Sequence, residues 1–238
     1  MTDNFKRLRN LMVEEQLKTR HIKSEAVLDA MRNVPRHLFV QESAAEARQG
    51  RGSPPEPAAE VRMGRGSPPE DLQRYAYEDS PLPIGFGQTI SQPYIVAFMT
   101  EMIEPFPGMK ILEIGTGSGY QAAVLAYLGC EVFTVELLEE LAVRAKNTLA
   151  ALGFENVKVK HGNAYSGWPE EAPFDTVIVT AAPDKIPEKL IEQLKDGGRM
   201  IIPVGNVNSV QSLKLVIKKE KRIIDTDLLP VRFVPMVE

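Results

Sequence analysis

The residues with the most chemistry in them lie between positions 113 and 119. There, Glu113-Ile-Gly-Thr-Gly-Ser-Gly119 sets an acid two places before three alternating glycines. Lys110 to Ile114 is short and apolar enough for a buried parallel strand, and the run from Ser118 through Ala122, Val124, Leu125 and Leu128 to Gly129 reads as a helix. Gly115, Gly117 and Gly119 therefore occupy the carboxyl end of a strand, where a backbone without Cβ atoms turns tightly and comes close to a ligand. Two other glycine loops do not fit. A dinucleotide loop, G-x-G-x-x-G/A, needs a small residue where Tyr120 stands, and a triphosphate loop needs a lysine directly after its last glycine, whereas the next lysine is Lys146. The following strand, Glu131 to Val135, ends in Glu136, about twenty residues after the glycines, where a carboxylate accepts both hydroxyls of a ribose. Glu136 is also compatible with a place at the N-terminus of a helix over Leu138 to Leu152, and the alternative for Glu113 is an acid that satisfies loop amides.

These residues need a sheet to position them, and the rest of the chain supplies one. Its 238 residues, 43% hydrophobic and 25% charged, suit a single globular domain over 1–238 with a sizeable core. A net charge of -4 argues against a nucleic-acid-binding surface. Without a long apolar run or a signal-like N-terminus, a soluble cytoplasmic protein that makes no use of a membrane is expected. The single cysteine, Cys130, reads as a small core residue at a strand start.

Phe5 to Arg20 and Ser24 to Asn33 read as amphipathic helices, the second capped by Ser24 and stopped before Pro35, forming an N-terminal helical cover over 1–43. Then Ala44 to Glu56 recurs as Ala58 to Glu70 at an offset of 14, with two of thirteen pairs differing. So few large apolar residues cannot offset the entropy of ordering, so 44–70 reads as a duplicated flexible insertion. Prolines and glycines in Ser80 to Pro93 suggest an irregular segment, followed by a helix from Tyr94 to about Glu104. Strands follow at Val157 to Lys160, Phe174 to Thr180, Met200 to Val204, Leu213 to Lys218 and Ile223 to Leu229, with a helix from Pro187 to Leu194. The expected fold is α/β, a doubly wound, Rossmann-like sheet of about seven mainly parallel strands with helices on both faces. Its last two strands, joined through Lys219 to Arg222, are too close in sequence for a helical crossover and should form a C-terminal antiparallel hairpin.

The acid and spaced glycines resemble motif I of class I S-adenosylmethionine-dependent methyltransferases. Leu82-Pro-Ile-Gly-Phe-Gly-Gln-Thr-Ile-Ser-Gln-Pro93, Pro173-Phe-Asp175, Val179-Thr-Ala-Ala-Pro183, Leu194-Lys-Asp-Gly-Gly-Arg199 and the closing Leu229 to Met236 narrow the likeness. Together they resemble the protein-L-isoaspartate O-methyltransferases over nearly the whole chain except the duplicated insertion. The resemblance implies methyl transfer from S-adenosyl-L-methionine, which leaves as S-adenosyl-L-homocysteine, to the α-carboxylate of L-isoaspartyl residues in damaged proteins. The ester then cyclises to a succinimide, whose hydrolysis returns some normal aspartate. By the same resemblance Glu113, Gly115, Gly117, Gly119, Glu136, Asn163 and Ala164 hold the cofactor, with Asn163 where the family usually has an acid. Gln41 stands where the family often has a proline.

The chemistry asks for little more. A sulfonium methyl is already activated, and a carboxylate with a pKa of about 3.9 is ionised at neutral pH, so no general base is required. His21, His37 and His161 are the only histidines, no hydrolase or zinc motif accompanies them, and no metal is expected. Catalysis then rests on holding carboxylate oxygen and methyl carbon in line, about 3 to 3.5 Å apart, with water excluded. Ser91, with Thr89 beside it, is the candidate for orienting the carboxylate by donation, the alternative being that Ser91 caps the next helix. Ile90, Thr180, Ala181, Val231, Arg232 and Phe233 are candidates for the peptide side, although Thr180 and Ala181 also suit strand-end packing and Arg232 a solvated charge. Asn163 also suits an Asx turn. His161 reads as a spacer, and Trp168 as core.

Isoaspartyl peptides and proteins are the expected partners and a monomer the expected state. A class I methyltransferase acting on a small molecule or RNA would keep the glycines and Glu136 without needing Thr89 and Ser91. A noncatalytic protein would bind the cofactor without turnover. Deleting residues 44–70 should leave the dissociation constant for S-adenosylmethionine unchanged in a calorimetric titration, and a large loss of affinity would show the insertion to be structural.

Overall fold

The computed structural model describes residues 2–40, 72–206, 209–220 and 222–237, so Gln41 and the duplicated stretch 44–70 lie outside the described residues. The chain divides into two compact units, Met1–Glu101 and Met102–Glu238. The first opens with α1 (Thr2–Leu11), which continues through a π-helical stretch, Met12–Leu17, and a 3₁₀ turn, Lys18–Arg20. The single α-helix expected over 5–20 is thus three helical forms in one run. Met12, Val13 and Leu17 are fully buried, and His21 ends the run at a φ of +67°. In α2 (Glu25–Asn33) Ser24 is the N-cap, its side chain accepting from Val27 N, while Glu101 Oε1 takes the amides of Lys23 and Ser24 at 2.7 and 2.6 Å.

The segment expected to be irregular is an antiparallel hairpin, β1 (Leu82–Gly85) with β2 (Gln88–Ile90). Its two-residue loop, Phe86-Gly87, has φ of +55° and +71°, the positive values that primed hairpin turns demand. Helix α3 (Pro93–Met102) follows. One buried cation ties these pieces together. Arg36, wholly buried, donates to the carbonyls of Ala76, Ser80 (3.3 Å) and Ser91 (3.0 Å), pinning the start of the hairpin and its end to the same guanidinium.

The second unit carries a seven-stranded sheet in the order β5-β4-β3-β6-β7-β8-β9. Its elements are β3 (Lys110–Ile114), α4 (Tyr120–Tyr127), β4 (Glu131–Glu136), α5 (Glu139–Ala151), β5 (Val157–His161), β6 (Phe174–Val179), α6 (Glu188–Glu192), β7 (Leu194–Val204), β8 (Gln211–Lys219) and β9 (Arg222–Val231). Strands β3 to β7 pair in parallel, and β7-β8 and β8-β9 are antiparallel, giving the expected C-terminal hairpin. From β3 the chain winds outward to β5, then returns to β6 and winds the other way. Right-handed crossovers therefore put α4 and α5 on one face and α6 on the other.

Central strands bury both faces, which is why they read as continuous apolar runs. Ile111, Leu112 and Ile114 are all fully buried, each contributing about 2 kcal/mol by area. Leu112, Ile114, Phe133, Val135 and Val179 join Leu190 of α6 in one core. Cys130 is buried too, and burial pushes its thiol up to about 11. Strand β7 begins at Leu194 rather than near Met200, with Lys195 to Gly198 bulging from the ladder through a turn at Gly197, whose φ is +78°. No helix among the described residues is long and apolar enough to cross a membrane.

Replacing Arg36 by Met leaves three carbonyl groups without their donor and should lower stability by about 3 kcal/mol. The midpoint of urea unfolding measures it.

Candidate active site

Strand order reverses at β3, and open α/β sheets bind ligands beyond the carboxyl ends of strands at such a point. The glycine loop stands there. Gly115 N donates to Val135 O at 2.8 Å, and Thr180 Oγ1 donates to Gly115 O at 2.7 Å, so the ends of β4 and β6 close on the same residue. A Cβ on Gly115 would lie 2.5 Å from Thr180 Oγ1, and the residue's φ is +93°; both exclude a side chain. Gly119, the N-cap of α4 at φ +87°, has Ala145 and Leu149 of α5 pressed within 3.3 Å of where a Cβ would be. The helix therefore opens at Tyr120, two residues later than the sequence suggests.

Glu136 is 7% exposed and grips the loop from below. Its Oε2 accepts from Gly117 N at 2.8 Å and its Oε1 from Leu138 N at 3.0 Å, so one carboxylate fixes the glycine turn and the start of α5 together. Each oxygen retains a further lone pair for a ligand hydroxyl. The helix-terminus role thus leaves room for the ribose role expected from the sequence. Glu113 is different. Fully buried, it forms no hydrogen bond of ordinary geometry through either oxygen among the described residues, while the neighbouring Thr134 hydroxyl is bonded to Thr116 Oγ1 at 2.7 Å. Burial pushes its carboxyl up to about 8, opposed by Thr134 and reinforced by the nearby Glu136 carboxylate. Glu113 is thus a neutral acid under the loop at pH 7, not the amide-satisfying acid its plainer reading suggested.

At the end of β5, Gly162 N donates to Glu136 O at 2.9 Å and His161 Nε2 lies 3.0 Å from Leu137 O, which sets Asn163 and Ala164 next in line. Asn163 is exposed and its Oδ1 accepts from Tyr165 N at 2.7 Å, an Asx turn, while Ala164 packs into the core. Trp168 is half-buried, edge-on to Phe133. Ala182 exchanges bonds with Val234 O and Met236 N at 2.8 and 2.9 Å, laying the C-terminal segment beside Ala181. Gln211, 2% exposed, clamps Phe233 through both backbone groups, at 2.6 and 3.1 Å. Val231 ends β9 and Arg232 is exposed.

In the first unit, Thr89 and Ile90 end β2 and Ser91 follows it, with Ile90 buried and both hydroxyl residues half-buried. No hydrogen bond of Thr89 Oγ1 or Ser91 Oγ forms among the described residues, leaving both hydroxyls to donate. Capping of α3 falls to another residue. Asp79 Oδ1 accepts from Tyr94 N at 2.9 Å and its Oδ2 from Gln92 Nε2 at 3.2 Å, with the Arg20 guanidinium paired to Asp79 and lying over the Tyr94 ring. Sequence reasoning missed Asp79, Arg36 and Gln211. Their partners are far away in the chain, and no local pattern marks them.

The family model for protein-L-isoaspartate(D-aspartate) O-methyltransferase matches residues 65–238. The protein-L-isoaspartate O-methyltransferase of Gloeobacter violaceus is 48% identical over 225 residues, 94% of this chain and 96% of that one. Its namesake from Opitutus terrae is 51% identical over 227 residues, covering 95% and 85%. Among solved structures, a protein-L-isoaspartate O-methyltransferase has a TM-score of 0.77 at 29% identity, covering 98% of this chain and 66% of that longer one. A Plasmodium falciparum chain solved in complex with S-adenosyl-L-homocysteine has a TM-score of 0.73 at 24% identity, covering 96% and 98%, a likeness of fold.

Because Glu113 is raised from 4.5 to about 8 on folding, its contribution to stability is complete below about pH 4.5 and is lost as pH rises toward 8. Urea unfolding of the cofactor-free protein should show that decline, at up to about 1.4 kcal/mol per pH unit, and Glu113→Gln should flatten it.

Proposed function

This chain belongs to the protein-L-isoaspartate(D-aspartate) O-methyltransferase family, and from that premise we propose how its residues carry out the reaction. The enzyme methylates the α-carboxylate of L-isoaspartyl residues in damaged proteins and so starts their repair through a succinimide. The observation that carries this reading is the family match over 65–238, with a glycine loop at the sheet's switch point. S-adenosyl-L-methionine, when bound, supplies a methyl group on a sulfonium and leaves as S-adenosyl-L-homocysteine. The side chains fit such a cofactor. Gly115, Gly117 and Gly119 let the backbone approach it, Glu136 has lone pairs left for the ribose, and the buried Glu113 has no hydrogen bond of ordinary geometry among the described residues. Asn163 and Ala164 are assigned to the adenine end, where the Asn163 amide nitrogen donates and its oxygen is already engaged by Tyr165.

The acceptor needs no base, since an isoaspartyl α-carboxylate is ionised at neutral pH. Ser91 and Thr89 therefore act by donating hydrogen bonds that fix the oxygen's direction of approach, without competing for a proton. Ile90, Thr180, Ala181, Val231, Arg232 and Phe233 are assigned to the peptide groove, where Arg232 adds a positive charge suited to an acidic substrate. Asp79 and Arg36 hold the chain on either side of Ser91 in place through the contacts at Tyr94 N and Ser91 O. The protein works as a cytoplasmic monomer that engages neither nucleic acid nor membrane.

The test is transfer of labelled methyl to two peptides that differ only in L-isoaspartate or L-aspartate at one position. Base-labile labelling of the isoaspartyl peptide alone is the expected outcome; labelling of neither, with the cofactor bound, would discard the substrate. Ser91→Ala should lower kcat roughly 10- to 100-fold, the worth of a hydrogen bond to a charged group, at unchanged cofactor affinity. Glu136→Gln should instead raise the KM for S-adenosylmethionine by roughly tenfold.

A further inference from the structure

Asp196-Gly197 is the one place in the 238 residues where an aspartate or asparagine precedes a glycine. That pair is chemically exposed, because a following residue without a side chain leaves its backbone nitrogen open to attack the preceding carboxyl group. The fold adds three things. Pairing of β7 with β6 jumps from Phe174 opposite Leu194 to Thr176 opposite Arg199, and pairing with β8 starts at Arg199, so Lys195 to Gly198 stand outside both ladders. Lys195, Asp196 and Gly197 are solvent-exposed, and a Cβ on Gly197 would meet nothing within 4 Å. The pair also borders a surface cavity of about 290 Å³, shared with Asp175, Thr176 and Arg199, which leaves room for a ring and for water. Against this, Asp196 Oδ1 accepts a hydrogen bond from Glu220 N, which must let go before the carboxyl carbon can turn.

We propose that Asp196 is this enzyme's own isomerisation site and that, once isomerised, it is a substrate for a second copy of the chain. The Gly197 nitrogen attacks Cγ of the protonated Asp196 carboxyl group; the new C–N bond forms as the C–OH bond breaks. Water leaves with the hydroxyl and the amide proton. Hydrolysis of the five-membered imide at the former main-chain carbonyl then sends the backbone through the side-chain carbon and frees an α-carboxylate. Methyl transfer forms an O–CH₃ bond as the S–CH₃ bond breaks, and renewed attack by Gly197 N expels methanol to regenerate the imide. The second copy is required by topology. Asp196 lies near the amino end of β6, whereas the glycine loop lies beyond the carboxyl ends of β3 and β6, roughly 16 Å away along about five residues of buried strand. The transfer half of this inference rests on the activity assigned above.

The full-length protein should be aged at 37 °C and its isoaspartate mapped by mass spectrometry. Aged protein, at a fixed concentration, is then mixed with increasing amounts of fresh enzyme and labelled S-adenosylmethionine, alongside a reference isoaspartyl peptide. Expected are isoaspartate at 196 above that at any other aspartate, label in the peptide holding residue 196, an initial rate that rises with fresh enzyme, and loss of both signals in Asp196→Glu, whose ring closure is slower. No excess isoaspartate at 196 would overturn the modification site whatever the enzyme's activity. Isoaspartate at 196 that stays unlabelled while the reference peptide is labelled would overturn the second-copy step. If the reference peptide itself stays unlabelled, the assigned activity fails and the second-copy step falls with it, while the mapped isoaspartate decides the site separately.

Discussion

The contact between Thr180 and Gly115 is the constraint on which the cofactor side of the molecule depends. Two parallel strands end so close that the first residue beyond one of them has room only for hydrogen, and the threonine hydroxyl of the other caps its carbonyl. From that point the loop is tied to β4 through Val135 O and to α5 through Glu136. A loop with this many attachments is organised before any ligand arrives, so little of the binding free energy is lost in ordering it. Side-chain freedom was given up at the glycines and rigidity gained from their neighbours.

The same packing explains why an acid can sit where Glu113 sits. Enclosed between strands and with no hydrogen bond of ordinary geometry among the described residues, it is favoured in the neutral form. An unmatched buried polar group lowers stability, and such groups survive in working proteins where a ligand completes them.

Much of the sheet was legible because its signals are local. Lys110 to Ile114 and Glu131 to Glu136 are runs of β-branched and aliphatic residues punctuated by glycine, and buried parallel strands have no polar face to blur them. The first hairpin was not legible, since Pro81, Pro83, Gly85 and Gly87 argue against a strand. It forms because a two-stranded ribbon tolerates proline at its margins and needs positive φ at its turn. The early start of β7 was hidden by Lys195-Asp-Gly-Gly198, a turn sequence that the strand carries as a bulge. The helix start drifted by two residues, from Ser118 to Tyr120, with Gly119 as its cap. Around the candidate site, the glycines and Glu136 announced themselves by spacing, while Asp79, Arg36 and Gln211 could not, because each acts on a backbone group distant in sequence. Ser91 was separable from a capping role only once Asp79 was seen on Tyr94 N.

The π-helical stretch at Met12–Leu17 has a phase effect. Lys18 N bonds to Val13 O, five residues back rather than four, so one residue more than an α-helix would hold is fitted into the turn. Everything N-terminal to it is rotated by about 100° relative to an unbroken helix. Phe5 stacks on His37 with ring centroids 4.0 Å apart in that rotated setting. The N-terminal segment is therefore keyed to the rest of its unit like a tooth on a gear, and shortening the chain by one residue between 12 and 17 would keep its composition while turning that tooth to a different face.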